Sequence, residues 1–232
     1  MSPLAPPLAG ISSMATRALL AELADAWRAR TDSAVAFESV GGVDAARRVA
    51  AGEAFDIVVL AAEAIARLAG AGHVVTGSAV ALAHSGVAIA VRTGAQRPDI
   101  GSEAALREAV LAARSVGYST GPSGTALMAL FERWGIAAAV GERLVQAPAG
   151  VPVGSLVARG EVELGFQQLS ELMLLPGIDL LGAMPPEIAI VTTFSAGVCA
   201  RSARPEAARA LIAFLNSADS AAAKQRHGMA PA

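Results

Sequence analysis

Apolar and polar positions along this chain switch between two periods, a short β-like run and then a helical stripe, from one end to the other. Leu8 to Ser12 is a short apolar run closing on Ser12-Ser13, and Leu19, Leu20, Leu23 and Trp27 follow at helical spacing. A strand is expected over Ser33 to Ser39, and Gly41-Gly42 turn the chain into a helix over Val43 to Ala51. Phe55 to Ala61, reading FDIVVLA, predicts a fully buried strand, and a helix over Ala62 to Ala69 stops at Gly70 and Gly72. Val80 to Arg92 is apolar for longer than an ordinary strand and contains His84-Ser85-Gly86; it reads as a strand crossing between two lobes.

The second half repeats the alternation. Ser102 caps a helix over Glu103 to Arg114, Ser115 to Thr120 is a strand, and Gly121-Pro122-Ser123-Gly124 lead into a helix over Thr125 to Trp134. Strands are expected at Leu144 to Gln146, Val162 to Gln167 and Ile178 to Leu181, with Pro152-Val153-Gly154-Ser155 before a helix ending near Arg159. Ile188 to Ala200 is the second long stretch and predicts a return crossover; helices over Pro205 to Leu215 and Ser220 to Arg226 close the chain. This order predicts an α/β protein with a mostly parallel sheet. The two crossovers divide it into lobe 1 (1–83 plus 192–232) and lobe 2 (84–191).

Composition narrows the chemistry. Of 232 residues 54% are apolar and 16% charged, which suits a globular chain and excludes disorder. Aromatic residues at 4% and a net charge of −2 without a basic run argue against a nucleic-acid partner. Cys199 stands alone in an apolar stretch, which excludes an intramolecular disulfide and reads as an inert buried thiol. His73, His84 and His227 lack metal-ligand spacing, so neither metal nor cofactor is expected. Met1-Ser2-Pro3-Leu4-Ala5-Pro6-Pro7 has no basic and apolar leader pattern. As written the chain starts in the cytoplasm, and it would be periplasmic had a leader been removed.

The positions of small polar residues carry the functional signal. Ser12-Ser13, Gly41-Gly42, Gly121-Pro122-Ser123-Gly124 and Pro152-Val153 all stand between a strand and a helix. Helix starts offer unpaired N–H groups and the positive end of a dipole, so several together bind an anion without Lys or Arg. Ligands of open α/β sheets bind at such strand ends. Each turn also has a purely structural reading, Ser13 as an N-cap and Gly41-Gly42 as a simple turn.

Ser12-Ser13-Met14-Ala15, GGVDAARRVAAGEAFDIVVLA (Gly41 to Ala61), YSTGPSG (Tyr118 to Gly124), VPVGSLVARGEVELGFQQLSEL (Val151 to Leu172) and TTFSAGV (Thr192 to Val198) together resemble one family. It is the molybdate-binding-like branch of the periplasmic substrate-binding proteins, receptors of ATP-driven (ABC) importers, and the likeness runs from about Leu8 to Leu215. The resemblance implies a type II periplasmic-binding-protein fold, two lobes joined by two crossover strands. A monomer is implied, closing on a small anion and delivering it to a permease. The implied ligand contacts are Ser13, Gly42, Ser123, Pro152, Val153 and Gln168, and Ser12, Gly41, Ser119, Gly121 and Gly124 of the same turns join them as candidate ligand-binding residues. Three positions depart from the molybdate pattern: Gly42 stands for Ser, Ser123 for a small apolar residue, and Gln168 for Tyr. An amide brings an acceptor as well as donors, so Gln168 shifts the expected ligand from a bare oxyanion towards a small organic acid.

The same branch includes aconitate-isomerase-like members, which implies an alternative: an isomerase of a di- or tricarboxylate, requiring a base near an acidic C–H. Glu38, Glu171 and His84 are the candidate bases, and Arg17 could pair with a second carboxylate. Each has an ordinary structural reading, so binding is the favoured activity.

Overall fold

The computed structural model describes residues 6–31 and 33–232; the leader question at Met1 to Ala5 lies outside the described residues. In chain order the elements are β1 (Leu8–Ser13), α1 (Arg17–Thr31), β2 (Val35–Val40), α2 (Gly42–Ala50), β3 (Ile57–Ala61), α3 (Ala62–Gly70) and β4 (Val80–Arg92). Then come α4 (Glu103–Ala112), β5 (Val116–Tyr118), α5 (Pro122–Arg133), α6 (Ala137–Val140), β6 (Leu144–Gln146), α7 (Val153–Ala158), β7 (Leu164–Gln168), α8 (Leu169–Leu172) and β8 (Ile178–Ala183). The chain closes with β9 (Val191–Val198), α9 (Pro205–Leu215), α10 (Ala221–Arg226) and β10 (Met229–Pro231). Two compact units result: Met1–His84 with Thr193–Ala232, and Ser85–Thr192.

In the first unit β1 lies parallel between β2 and β3, and β9 runs antiparallel beside β3. The buried run of β3 divides by period two. Ile57 and Val59 meet Leu19, Leu20 and Leu23 of α1 and Leu211 and Leu215 of α9. Val58 and Leu60 face the other way, onto Val49 of α2 and Ile65 and Leu68 of α3. Both faces of β3 are therefore core, which is why the segment reads as an unbroken apolar run.

Asp56, just before β3, fastens the unit. Its carboxylate accepts the Ala9 N–H (2.9 Å), the Ser202 hydroxyl (2.6 Å) and the Arg204 guanidinium (2.8 Å). Burial pushes this carboxyl up, but the three donors outweigh it and hold the group below its ordinary range. Cys199 follows β9 and is buried; burial first, and the Asp56 charge second, push its thiol up to about 12, which makes it inert.

In the second unit β5 lies parallel between β6 and β7, while β4 runs antiparallel to both β7 and β8. Phe166 of β7 and Val116 of β5 face Leu127, Leu130 and Phe131 of α5 and Leu106 and Val110 of α4. On the opposite face α7 seats against glycines. A Cβ on Gly117 would stand 2.9 Å from Val153 Cγ1, and one on Gly165 2.5 Å from Val157 Cγ2.

The expected parallel sheet is thus parallel only in part. β4 runs antiparallel to β7 and β8, and β9 antiparallel to β3, each pairing joining strands that are not consecutive in the chain. Two helix starts also move. α5 begins at Pro122, not Thr125, because proline at the first helical position needs no N–H and has a helical φ. α7 begins at Val153, so Gly154 and Ser155 lie inside its first turn. The short helices α6 and α8 and the strand β10 carry no periodic signal in the sequence.

Asp56→Asn is expected to lower stability by about 1–3 kcal/mol at neutral pH, read from the urea midpoint, since Arg204 loses its charged partner. Because the folded-state Asp56 carboxyl is depressed, its contribution is present above the ordinary aspartate range and is lost as pH falls through the folded value. The deficit of the variant should therefore shrink in acid.

Candidate functional site

The first unit brings Ser12, Ser13, Gly41 and Gly42 to the carboxyl ends of β1 and β2. Ser12 is fully buried and its hydroxyl is engaged, 2.8 Å from Ser39 Oγ at the register position opposite on β2. Alternation turns Ser13 the other way. Ser13 Oγ is buried with no hydrogen-bond partner among the described residues, and it makes no cap bond to the turn it precedes. Gly41 is the N-cap of α2, and Gly42 opens that nine-residue helix. A Cβ on Gly42 would stand 3.7 Å from Ser13 Cβ, an ordinary contact, so position 42 is open to a side chain beside the free hydroxyl.

The second unit places Ser119, Gly121, Ser123 and Gly124 around the start of α5. Ser119 and Ser123 hydroxyls lie 3.1 Å apart. The Gly124 and Thr125 amides turn back to the Gly121 carbonyl and Pro122 has no N–H, so Ser123 supplies the remaining amide of the first turn. Gly124 is obligatory, because a Cβ there would stand 1.9 Å from the Ser119 carbonyl oxygen. Pro152 and Val153 are the N-cap and first residue of α7, and Val153 is fully buried.

Gln167 and Gln168 end β7 and point to opposite faces. Gln168 shares a face with Phe166 and hence with α5; its Nε2 lies 2.8 Å from Thr192 Oγ1, and its Oε1 is buried without a partner. A threonine hydroxyl can donate or accept, so either orientation of the amide satisfies this bond, and the free end can present NH₂ or C=O. Gln167 faces α7: its Oε1 accepts the Gly154 N–H (3.2 Å) and its Nε2 donates to Glu171 Oε1 (2.8 Å). Burial pushes the half-buried Glu171 carboxyl up to about 7, only partly offset by the Gln167 bond.

The remaining candidate bases are structural. Glu38 pairs with Arg48 (2.9 Å), whose hydrogen bond holds its carboxyl low, Arg17 is exposed, and His84 Nδ1 lies 3.0 Å from Thr193 Oγ1. Sequence reasoning missed Thr192 and Ser85, whose hydroxyl is fully buried and unpartnered. Thr192 meets Gln168 across 24 residues of chain, a pairing that no local motif encodes. Among the described residues no His, Cys, Asp or Glu cluster could hold a metal ion, and no helix is long and apolar enough to cross a membrane.

The fold is that of the type II periplasmic binding proteins. The model of the bacterial extracellular solute-binding protein family matches residues 8–230, and the chain belongs to that family. It is 41% identical over 185 residues to an aconitate isomerase from a Pseudomonas species, covering 79% of this chain and 70% of that protein. Among solved structures it resembles the sulfate-binding protein SubI of Mycobacterium tuberculosis H37Rv. That match has a TM-score of 0.80 at 18% identity and covers 98% of this chain and 87% of that one. The periplasmic molybdate-binding protein of Azotobacter vinelandii matches with a TM-score of 0.79 at 19% identity, over 96% and 98% of the two chains.

Glu171 gives a pH prediction of definite sign. Its folded-state carboxyl is raised, so between about 4.5 and 7 the folded protein holds a proton that the unfolded chain has released. Stability therefore falls as pH rises through that window. Glu171→Gln should flatten this slope and raise stability at pH 8 by about 1–3 kcal/mol, measured by urea unfolding across pH.

Proposed function

We propose that this solute-binding protein captures a small organic carboxylate; the candidate contacts are the Ser13 hydroxyl and α2 start within the first unit, and the Ser123 start of α5 within the second. The observation that carries the reading is the free, buried Ser13 hydroxyl beside the N-terminus of α2, because a polar group without a partner is costly unless a ligand meets it. The N-terminus of the twelve-residue α5, with its paired serines, supplies a second set of neutral donors to negative charge. Gln168 in place of a phenol favours a ligand with mixed oxygens over a bare oxyanion. Membership of an extracellular solute-binding family supports work outside the cytoplasmic membrane, with an importer permease as partner.

The screen is thermal: succinate, malate, citrate, cis-aconitate, sulfate and molybdate are compared by their effect on Tm. The carboxylates should raise Tm in a dose-dependent way and the oxyanions should not; the reverse ranking rejects the ligand class. Ser123→Asp keeps a carboxylate where the α5 dipole favours it, so the fold should persist, but its charge repels the ligand. Affinity should fall at least about tenfold. Unchanged affinity removes α5 from the site. Gly42→Ser has room for its side chain, and should fold normally while improving oxyanion binding.

A second reading is favoured by the 41% identity to an aconitate isomerase and by Glu171. A carboxyl titrating near 7 can take a proton from a methylene flanking a double bond and return it at the other end of the allylic carbanion. Incubation with cis- or trans-aconitate, followed by ultraviolet absorbance, tests it. Turnover lost in Glu171→Gln with binding retained establishes the isomerase, and no turnover in the parent protein leaves a receptor.

A further inference from the structure

We infer that Ser85, Gln168 and Thr192 form one subsite that recognises an uncharged hydroxyl of the ligand, so that the preferred ligand is a hydroxy acid. The inference rests on the carboxylate reading and deepens it.

The geometry lies wholly within the second unit. Val87 of β4 is the register partner of Gln168, and residues directly opposite on antiparallel strands share a face. Ser85 is two residues from Val87 along the same strand, so it too faces that side. Gln168 reaches Thr192 on this face. Two nine-tenths-buried polar atoms here have no partner, Ser85 Oγ and Gln168 Oε1. They differ in kind from the donors at the start of α5. No Lys or Arg forms a bond or ion pair with the three residues among those described. Each of the three side chains both donates and accepts hydrogen bonds. A carboxylate would bring charge without a compensating donor set, whereas a hydroxyl donates once and accepts twice and so matches neutral groups of both kinds. Thr192 acts through Gln168: by accepting or donating it holds the amide plane while the free end meets the ligand. It is a positioning residue, and Ser85 is a direct contact.

Citrate and tricarballylate differ by one hydroxyl, and calorimetric titration of the full chain with each reads the subsite. The parent protein should bind citrate at least about tenfold more tightly. Ser85→Ala and Thr192→Val should each reduce that ratio to within about threefold, mainly through weaker citrate binding, and Thr192→Ser should restore it. Equal affinities in the parent protein, or a ratio unchanged in both variants, overturns the inference while leaving the carboxylate reading in place. Failure of citrate, tricarballylate, malate and succinate alike to bind overturns that reading and the subsite with it. Should Thr192→Val fail to fold, Ser85→Ala removes only an unbonded hydroxyl and decides the matter alone.

Discussion

A polar group taken out of water must find a partner, and among the described residues a few buried side chains, Ser13, Ser85 and Gln168 included, do not meet that rule. Asp56 shows it satisfied, with three donors on one buried carboxylate. Ser12 shows it satisfied by Ser39 across the strand pair. One residue later Ser13 is turned to the other side and left free, and in the second unit Ser85 and Gln168 repeat the condition. The apolar layers on both faces of each sheet make these exceptions meaningful, because they fix which way each side chain points.

Period two at the end of β7 separates two chemistries on adjacent residues. Gln168, on the α5 side, meets Thr192 and keeps one amide atom free. Gln167, on the α7 side, links the Gly154 amide to Glu171 in a closed chain of bonds. The first arrangement suits recognition of neutral oxygens; the second holds a carboxyl whose proton leaves near neutrality.

Much of this was legible in the sequence, and the limits have physical causes. The thirteen-residue β4 follows from an apolar run that small Ser85 and Gly86 do not break. Gly124 meets the Ser119 carbonyl closely, whereas Gly121 has room for a side chain, a difference that the motif itself does not show. Local pattern misplaced the start of α5, since Pro122 reads equally as turn or helix opening. It also carried no information on the antiparallel setting of β4, β8 and β9, which arises from pairing between strands distant in the chain. The Thr192–Gln168 bond spans 24 residues of chain, so neither member announces the other.

Amide chemical shifts test the central claim most directly, because they report on the donors themselves. In protein labelled with ¹⁵N, titration with citrate should move the Ser123 backbone amide and the Gln168 side-chain NH₂ with a common saturation curve, along with the Gly42 amide. Shifts confined to surface residues, with these three signals unmoved at saturating citrate, would contradict the account.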